Sequence, residues 1–139
     1  AHLTFTHGEG FGRPLLEASF SGRPILAPIS TGQADFLDRK NVVELPHSMT
    51  KVPQNAFPPQ YWNQDALWST VNYPIASKIV KDVYENYNKY KLRAKKLMLI
   101  NRNTFSFDEM KTKLEGIVDN IIKDIPKEIK LKLPELKKD

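Results

Sequence analysis

The pattern of apolar and polar positions divides the chain into a glycine-punctuated first third, a proline-rich middle and a helical remainder. In the first third, short apolar runs alternate with turns. Leu3-Thr4-Phe5-Thr6 reads as a strand, and His7-Gly8-Glu9-Gly10-Phe11-Gly12 as a glycine-rich loop leaving it. Residues 14–21 predict a helix, with Pro14 near its first turn and Gly22 just past its end, where each residue type is favoured. Pro24-Ile25-Leu26-Ala27-Pro28 is an apolar run between breakers and predicts a buried strand. Ser30-Thr31-Gly32 predicts a turn, 33–38 a short helix, and Asn41-Val42-Val43-Glu44-Leu45 a third strand. Strands that alternate with helices imply a parallel sheet with right-handed crossovers.

The middle breaks this pattern. Pro46, Pro53, Pro58 and Pro59 lie among Asn, Gln and aromatic residues, so residues 46–70 read as an extended insertion, long for a loop inside a compact domain. Phe57, Tyr61, Trp62 and Trp68 are the side chains expected to pin it to the body. Simple surface packing suits these aromatics, and so does a lid or a partner-contact surface. From Tyr73 to about Ile100, Ile75, Ile79, Val83, Tyr87 and Tyr90 fall at helical spacing. A further helix follows Ser106, an expected N-cap with Glu109 three positions on, as in a capping box. Met110, Leu114, Ile117, Val118 and Ile121 form its apolar stripe. The sequence thus predicts one partial domain over 1–125 and a charged, frayed tail over 126–139.

Composition narrows the classes. At 139 residues the chain is one ordinary domain at most, and 40% hydrophobic residues suffice for a packed core. No apolar run is long enough to span a bilayer, and the start lacks the layout of a signal peptide. Without cysteine, neither a disulfide framework nor a thiolate metal site can form. An intracellular, cytoplasmic protein is expected. His2, His7 and His47 are not at metal-ligand spacings, so no metal is expected. The net charge of +5 is uneven: eight basic residues between Lys78 and Arg102 face only Asp82 and Glu85. Such a run suits the solvated face of a long helix. It also suits peripheral contact with an anionic membrane surface. Nucleic acid is disfavoured, because no binding motif accompanies the charge.

The segment with chemistry in it is Glu9-Gly10-Phe11-Gly12-Arg13-Pro14-Leu15-Leu16-Glu17. A loop with several glycines lets the backbone come close to a ligand. It feeds a helix start, where unpaired amides and the helix dipole favour an anion such as a pyrophosphate. Glu17, about one turn into that helix, suits a ribose diol, and Glu9 suits sugar hydroxyls. An anion cradle between two diol acceptors fits a nucleotide diphosphate sugar. The same glycines would also serve a tight turn with no ligand.

The stretch from Thr6 to Leu37 resembles the donor-site signature of retaining glycosyltransferases of the GT-B fold, the group-1 or glycogen-synthase-like transferases. That signature has two glutamates separated by seven residues, as Glu9 and Glu17 are, and a Gly-Lys/Arg-Pro before the next strand, as Gly22-Arg23-Pro24 is. A Gly-Gly-x-x-Glu turn usually follows. Here Thr31-Gly32-Gln33-Ala34-Asp35 replaces one glycine by Thr31 and the acid by Asp35, which leaves Asp35 without a clear role. Phe105-Ser106-Phe107-Asp108 resembles the Phe-Ser-Trp-Glu that starts the family's final helix.

The resemblance implies an α/β fold, a partial Rossmann-like domain with a short parallel sheet of about three strands. It implies that Glu17 binds the nucleotide ribose. Gly10, Phe11 and Gly12 would approach the donor sugar, the Leu15 and Leu16 amides the phosphates, and the catalytic Glu9 the hydroxyls near the reacting carbon. Arg13 would help hold the leaving diphosphate, or else point to solvent; His7 is expected as a hydrogen-bonder within the loop. The donor is a nucleotide diphosphate sugar and the acceptor a glycan or other hydroxyl, with neither cofactor nor metal required. A complete enzyme of this family has a second, amino-terminal domain. The chain is therefore expected to be an inactive fragment that self-associates through a free sheet edge. The competing readings are a GT-B epimerase and a non-catalytic interaction module working through the Lys-rich helices.

Overall fold

The computed structural model describes residues 1–61 and 63–123. Contacts group the chain into two compact units, Ala1–Ser106 and Phe107–Asp139. The expected tail over 126–139 and Trp62 lie outside the described residues.

The first unit is built on a three-stranded parallel sheet of β1 (His2–Leu3), β2 (Ile25–Ala27) and β3 (Val43–Glu44), in that spatial order. The central strand shows why the sheet is parallel and covered. Ile25, Leu26 and Ala27 are all buried, as expected for a strand packed on both faces. Alternation sends Ile25 and Ala27 into one cluster and Leu26 into another. Leu15 and Leu16 of α1 (Arg13–Ser19) fill the first cluster with Ile29, Phe36, Leu37 and Leu97. Val43, Leu45, Val71, Ala76 and Val83 fill the second. β1 and β3 are the sheet's two edges, and Leu3 of β1 is 44% exposed.

The helices after residue 72 differ from the expected single long helix. Asn72 caps α2 (Tyr73–Glu85) by accepting from the Ile75 amide at 3.2 Å. Asn86 then leaves helical geometry, at φ −113° and ψ 32°, and α3 (Tyr87–Thr104) begins. Asparagine is a poor residue for a helix interior because its amide competes for hydrogen bonds nearby. Here the Asn86 side chain donates to Asp82 at 2.7 Å, and the Tyr90 hydroxyl donates to the same carboxylate. Both bonds hold the Asp82 carboxyl below the usual range, the one from Tyr90 most, while the same bond pushes the Tyr90 phenol up. α3 is tied to the sheet unit by buried Asn101, which donates to Ser19 Oγ at 2.8 Å. Arg93 donates to the Lys40 and Val42 carbonyls, and Arg102 to that of Phe20.

The middle segment is not merely an extended loop. β4 (His47–Lys51) pairs antiparallel with β5 (Leu67–Val71), so that His47 faces Val71 and Lys51 faces Leu67. The prolines bound this hairpin arm: Pro46 precedes β4 and Pro53 stands just beyond it. Trp68 does pin it, stacking on His7 with ring centres 3.9 Å apart and planes 7° from parallel. Phe57 and Tyr61 stay exposed.

In the second unit, α4 (Phe107–Lys123) starts directly after Ser106, as its sequence predicts. None of its residues is buried: Met110, Leu114, Ile117, Val118 and Ile121 form a stripe that is exposed throughout.

Candidate functional site: a main-chain cradle at the carboxyl edge

The loops that leave β1 and β2 emerge side by side at the carboxyl edge of a parallel sheet, the edge where open α/β sheets bind ligands. They touch through the main chain. The Gly32 amide donates to the Glu9 carbonyl at 3.0 Å. A Cβ on Gly32 would lie 2.0 Å from the Gly10 carbonyl oxygen and 2.9 Å from the Phe11 Cα, so only glycine permits the contact.

A polar relay fixes the register of the two loops. The Glu9 amide donates to Thr31 Oγ1 at 2.8 Å, and that hydroxyl donates to Gln33 Oε1 at 2.7 Å. Gln33, wholly buried, donates through Nε2 to the Pro28 carbonyl at 3.0 Å. The hydroxyl that departs from the expected glycine at position 31 thus has a structural task. Gly12 turns the chain into α1 at φ 85°, in the left-handed region, and a Cβ there would meet Gln33 and Glu9.

The fold brings several of the expected residues together. Glu9 is half-buried with its side-chain carbons beside Gly12, and its carboxylate has no partner among the described residues. The amides of Gly10, Phe11 and Gly12 likewise have no protein acceptor among them. The Phe11 ring stays exposed and lies near Phe36 and Phe105, with centroids 5.3 and 6.2 Å away. Glu17 faces solvent and is paired to Arg13 at 2.6 Å. Arg13 points to solvent, as one of its two expected readings has it, and there pairs with the carboxylate expected to meet a ribose.

Two expected donors are already engaged. The Leu15 and Leu16 amides both donate to the Gly12 carbonyl, at 2.9 and 3.1 Å, and both side chains sit in the core. Pro14 has no amide hydrogen, and α1 is only seven residues long. The Leu15 and Leu16 amides are therefore not among the donors this edge leaves unpaired within the described residues. Asp35 ends a short 3₁₀ turn, exposed.

His7 behaves as the loop hydrogen-bonder expected of it. Its Nδ1 lies 2.6 Å from the Ser69 carbonyl, and the Ser69 amide donates back to the His7 carbonyl at 2.9 Å. The hairpin is thereby fastened to the glycine loop. Between them a cavity of about 350 Å³ opens, lined by Gly8 and Thr31 on one side and by Met49, Phe57, Leu67 and Trp68 on the other. Gln33 and Ser69, and the hydrogen bonds of Thr31, are what sequence reasoning did not single out. Their part depends on contacts between segments far apart in the chain.

Fold and site define an α/β protein with a short parallel sheet and a main-chain cradle at its carboxyl edge. Comparison with protein families, curated proteins and solved structures gave no match. Among the described residues, no helix is long and apolar enough to cross a membrane.

Proposed function

We infer that this chain carries part of the donor-binding half of a retaining GT-B glycosyltransferase, with a Rossmann-like arrangement of sheet and helices. The observation that carries this reading is the run of three loop amides, Gly10 to Gly12, without an acceptor among the described residues. They lie beside the Glu9 carboxylate, likewise without a partner among the described residues, at the carboxyl edge of the sheet. Successive free amides with a nearby guanidinium attract a diphosphate, and a carboxylate next to them attracts sugar hydroxyls. Glu17, oriented by Arg13, would take the ribose diol. Glu9 would steer the reacting carbon while the leaving diphosphate is stabilised by fixed donors.

The rest of the reading concerns partners. The free edge of β1 lies by an apolar cavity of about 290 Å³, lined by Leu3, Leu26, Val80, Val83 and Tyr84. An unpaired edge beside apolar surface is where a further strand adds. The remaining domain of the enzyme, or a second copy of this chain, would occupy it. The acceptor, a glycan or other hydroxyl compound, would meet the donor only in the complete protein.

The test is titration of the ¹⁵N-labelled chain with uridine and guanosine diphosphate sugars, beside Glu17→Ala. One donor class should move the Gly10, Phe11 and Gly12 resonances, and Glu17→Ala should weaken it about tenfold, the equivalent of about 1.4 kcal/mol. Radiolabelled donor should give no transfer by the chain alone. Resonances unmoved by either donor class at millimolar concentration would sink the donor-site reading.

A further inference from the structure

Of the eight basic residues between Lys78 and Arg102, the fold accounts for four. Arg93 and Arg102 donate to main-chain carbonyls, Lys81 pairs with Glu85, and Lys89 lies over the Tyr90 ring. Two of the others, Lys91 and Lys95, stand one turn apart on the same face of α3. They converge with Arg23 on a cavity of about 440 Å³ at the amino edge of the sheet, opposite the glycine loops. Ser21, Tyr87 and Met98 complete its walls, and Ala1 borders it.

This cavity is built rather than incidental. Gly22 crosses α3 at φ 63°, so close that a Cβ would meet Met98 Sδ at 3.1 Å and Lys95 Cγ at 3.6 Å. The contact sets Arg23 beside the two lysines. None of the three cations is in an ion pair among the described residues. α3 contains no acidic residue, so neither lysine has a partner on its own helix. Three cations around one cavity, without an ion-pair partner among the described residues, form an arrangement that an anion would relieve.

We propose that this cavity is a second ligand site, specific for a phosphate group, in which Arg23, Lys91 and Lys95 supply the charge and Tyr87 a hydroxyl. It is independent of the donor-site reading and lies at the other edge of the sheet. The phosphate belongs either to a free anion or to a lipid headgroup.

The test uses the full chain. Inorganic pyrophosphate is titrated into the ¹⁵N-labelled protein, and binding is followed at Gly22, Lys95 and Met98. In parallel the protein is sedimented with vesicles of phosphatidylcholine, with and without phosphatidylglycerol. The double variant Lys91→Glu/Lys95→Glu is compared with Lys40→Glu/Lys78→Glu, which changes the net charge equally outside the cavity. Circular dichroism checks that both fold. At about 1 kcal/mol per basic residue near an anionic surface, the cavity variant should bind at least about tenfold more weakly while the control binds nearly as well. Shifts with pyrophosphate and no vesicle binding assign the site to a soluble anion. Sedimentation only with phosphatidylglycerol vesicles assigns it to a lipid headgroup. The proposal fails if neither probe binds, if pyrophosphate moves only the glycine loop, or if both variants lose binding alike.

Discussion

The two edges of the short parallel sheet are built in different ways. At the carboxyl edge, the loops after β1 and β2 lock together through main-chain bonds and a glycine contact, and the groups they offer are amides and one free carboxylate. At the amino edge, the connection into β2 crosses α3 and offers long charged side chains. A main-chain cradle is sensitive to the addition of one carbon and little affected by salt. A cluster of exposed cations tolerates changes of shape and is screened within about 10 Å at 0.1 M salt.

The largest effect that separates the edges should come from Gly32→Ala. The new methyl would overlap the Gly10 carbonyl, which is backbone and cannot swing away. Overpacking of this kind costs about 1–3 kcal/mol. Thermal unfolding should show the loss, and amide exchange at Glu9 and at residue 32 should quicken as the loops part. Resonances around Gly22 and Lys95 should stay in place. An unchanged Tm with intact protection at Glu9 would mean that the loops are not locked as described.

An equal or smaller effect is expected of the relay. Gln33→Leu keeps the volume but removes the donor to Pro28 and the acceptor of Thr31. Leaving buried polar groups unsatisfied costs about 1–3 kcal/mol. Thr31→Val removes the acceptor of the Glu9 amide, which water can replace, and the donor to buried Gln33 Oε1, which it cannot, so about 1–3 kcal/mol is expected. If the relay acts through Glu9, both variants should raise exchange at that amide, Thr31→Val more because it removes the amide's own acceptor. No change with Gln33→Leu would show that Thr31 holds the loop without help from Gln33.

The comparison also explains what could be read from the sequence. β2, β3 and α1 were legible because their signals are local: apolar runs between breakers, with proline and glycine at the helix ends. Of the strand expected over Leu3–Thr6, only Leu3 falls in β1. The glycine loop was legible as a segment, but its partner was not. Nothing local to Gly32 tells that its α-carbon must lie against Gly10, or that Thr31 caps an amide 22 residues away. The hairpin was missed because β4 buries little and carries no alternation of apolar residues, only the polar run His47-Ser48-Met49-Thr50-Lys51. Its strands are recognised by each other, across residues 52–66, and not by pattern. The break at Asn86 was hidden for the opposite reason. The apolar spacing runs on from Val83 to Tyr87 and Tyr90, while one polar residue ends the helix.

That break gives the smallest and most specific effect, a pH dependence confined to the α2–α3 joint. Asp82 is held below its ordinary pKa, mainly by the Tyr90 hydroxyl and then by Asn86 and Lys89. A carboxyl whose folded pKa is depressed binds fewer protons folded than unfolded. Its stabilisation is therefore complete above the unfolded value, about pH 4, and is lost as the pH falls through the lower folded value. Tyr90 works in the opposite direction. Its raised pKa means that the unfolded chain loses the phenolic proton first, so its stabilisation is complete below about pH 10 and is lost as the pH rises through the folded value. The joint should therefore be tightest across the neutral range and loosen at both extremes. Tyr90→Phe should abolish the alkaline loss and most of the acid one at this site, leaving Asn86 to hold Asp82. Amide exchange at Asn86 and Lys89, compared between the two proteins from acid to alkaline pH, reads the joint directly. Neither sheet edge should respond to this variant. If exchange at Asn86 has the same pH profile with and without the hydroxyl, the Asp82–Tyr90 bond does not hold the joint.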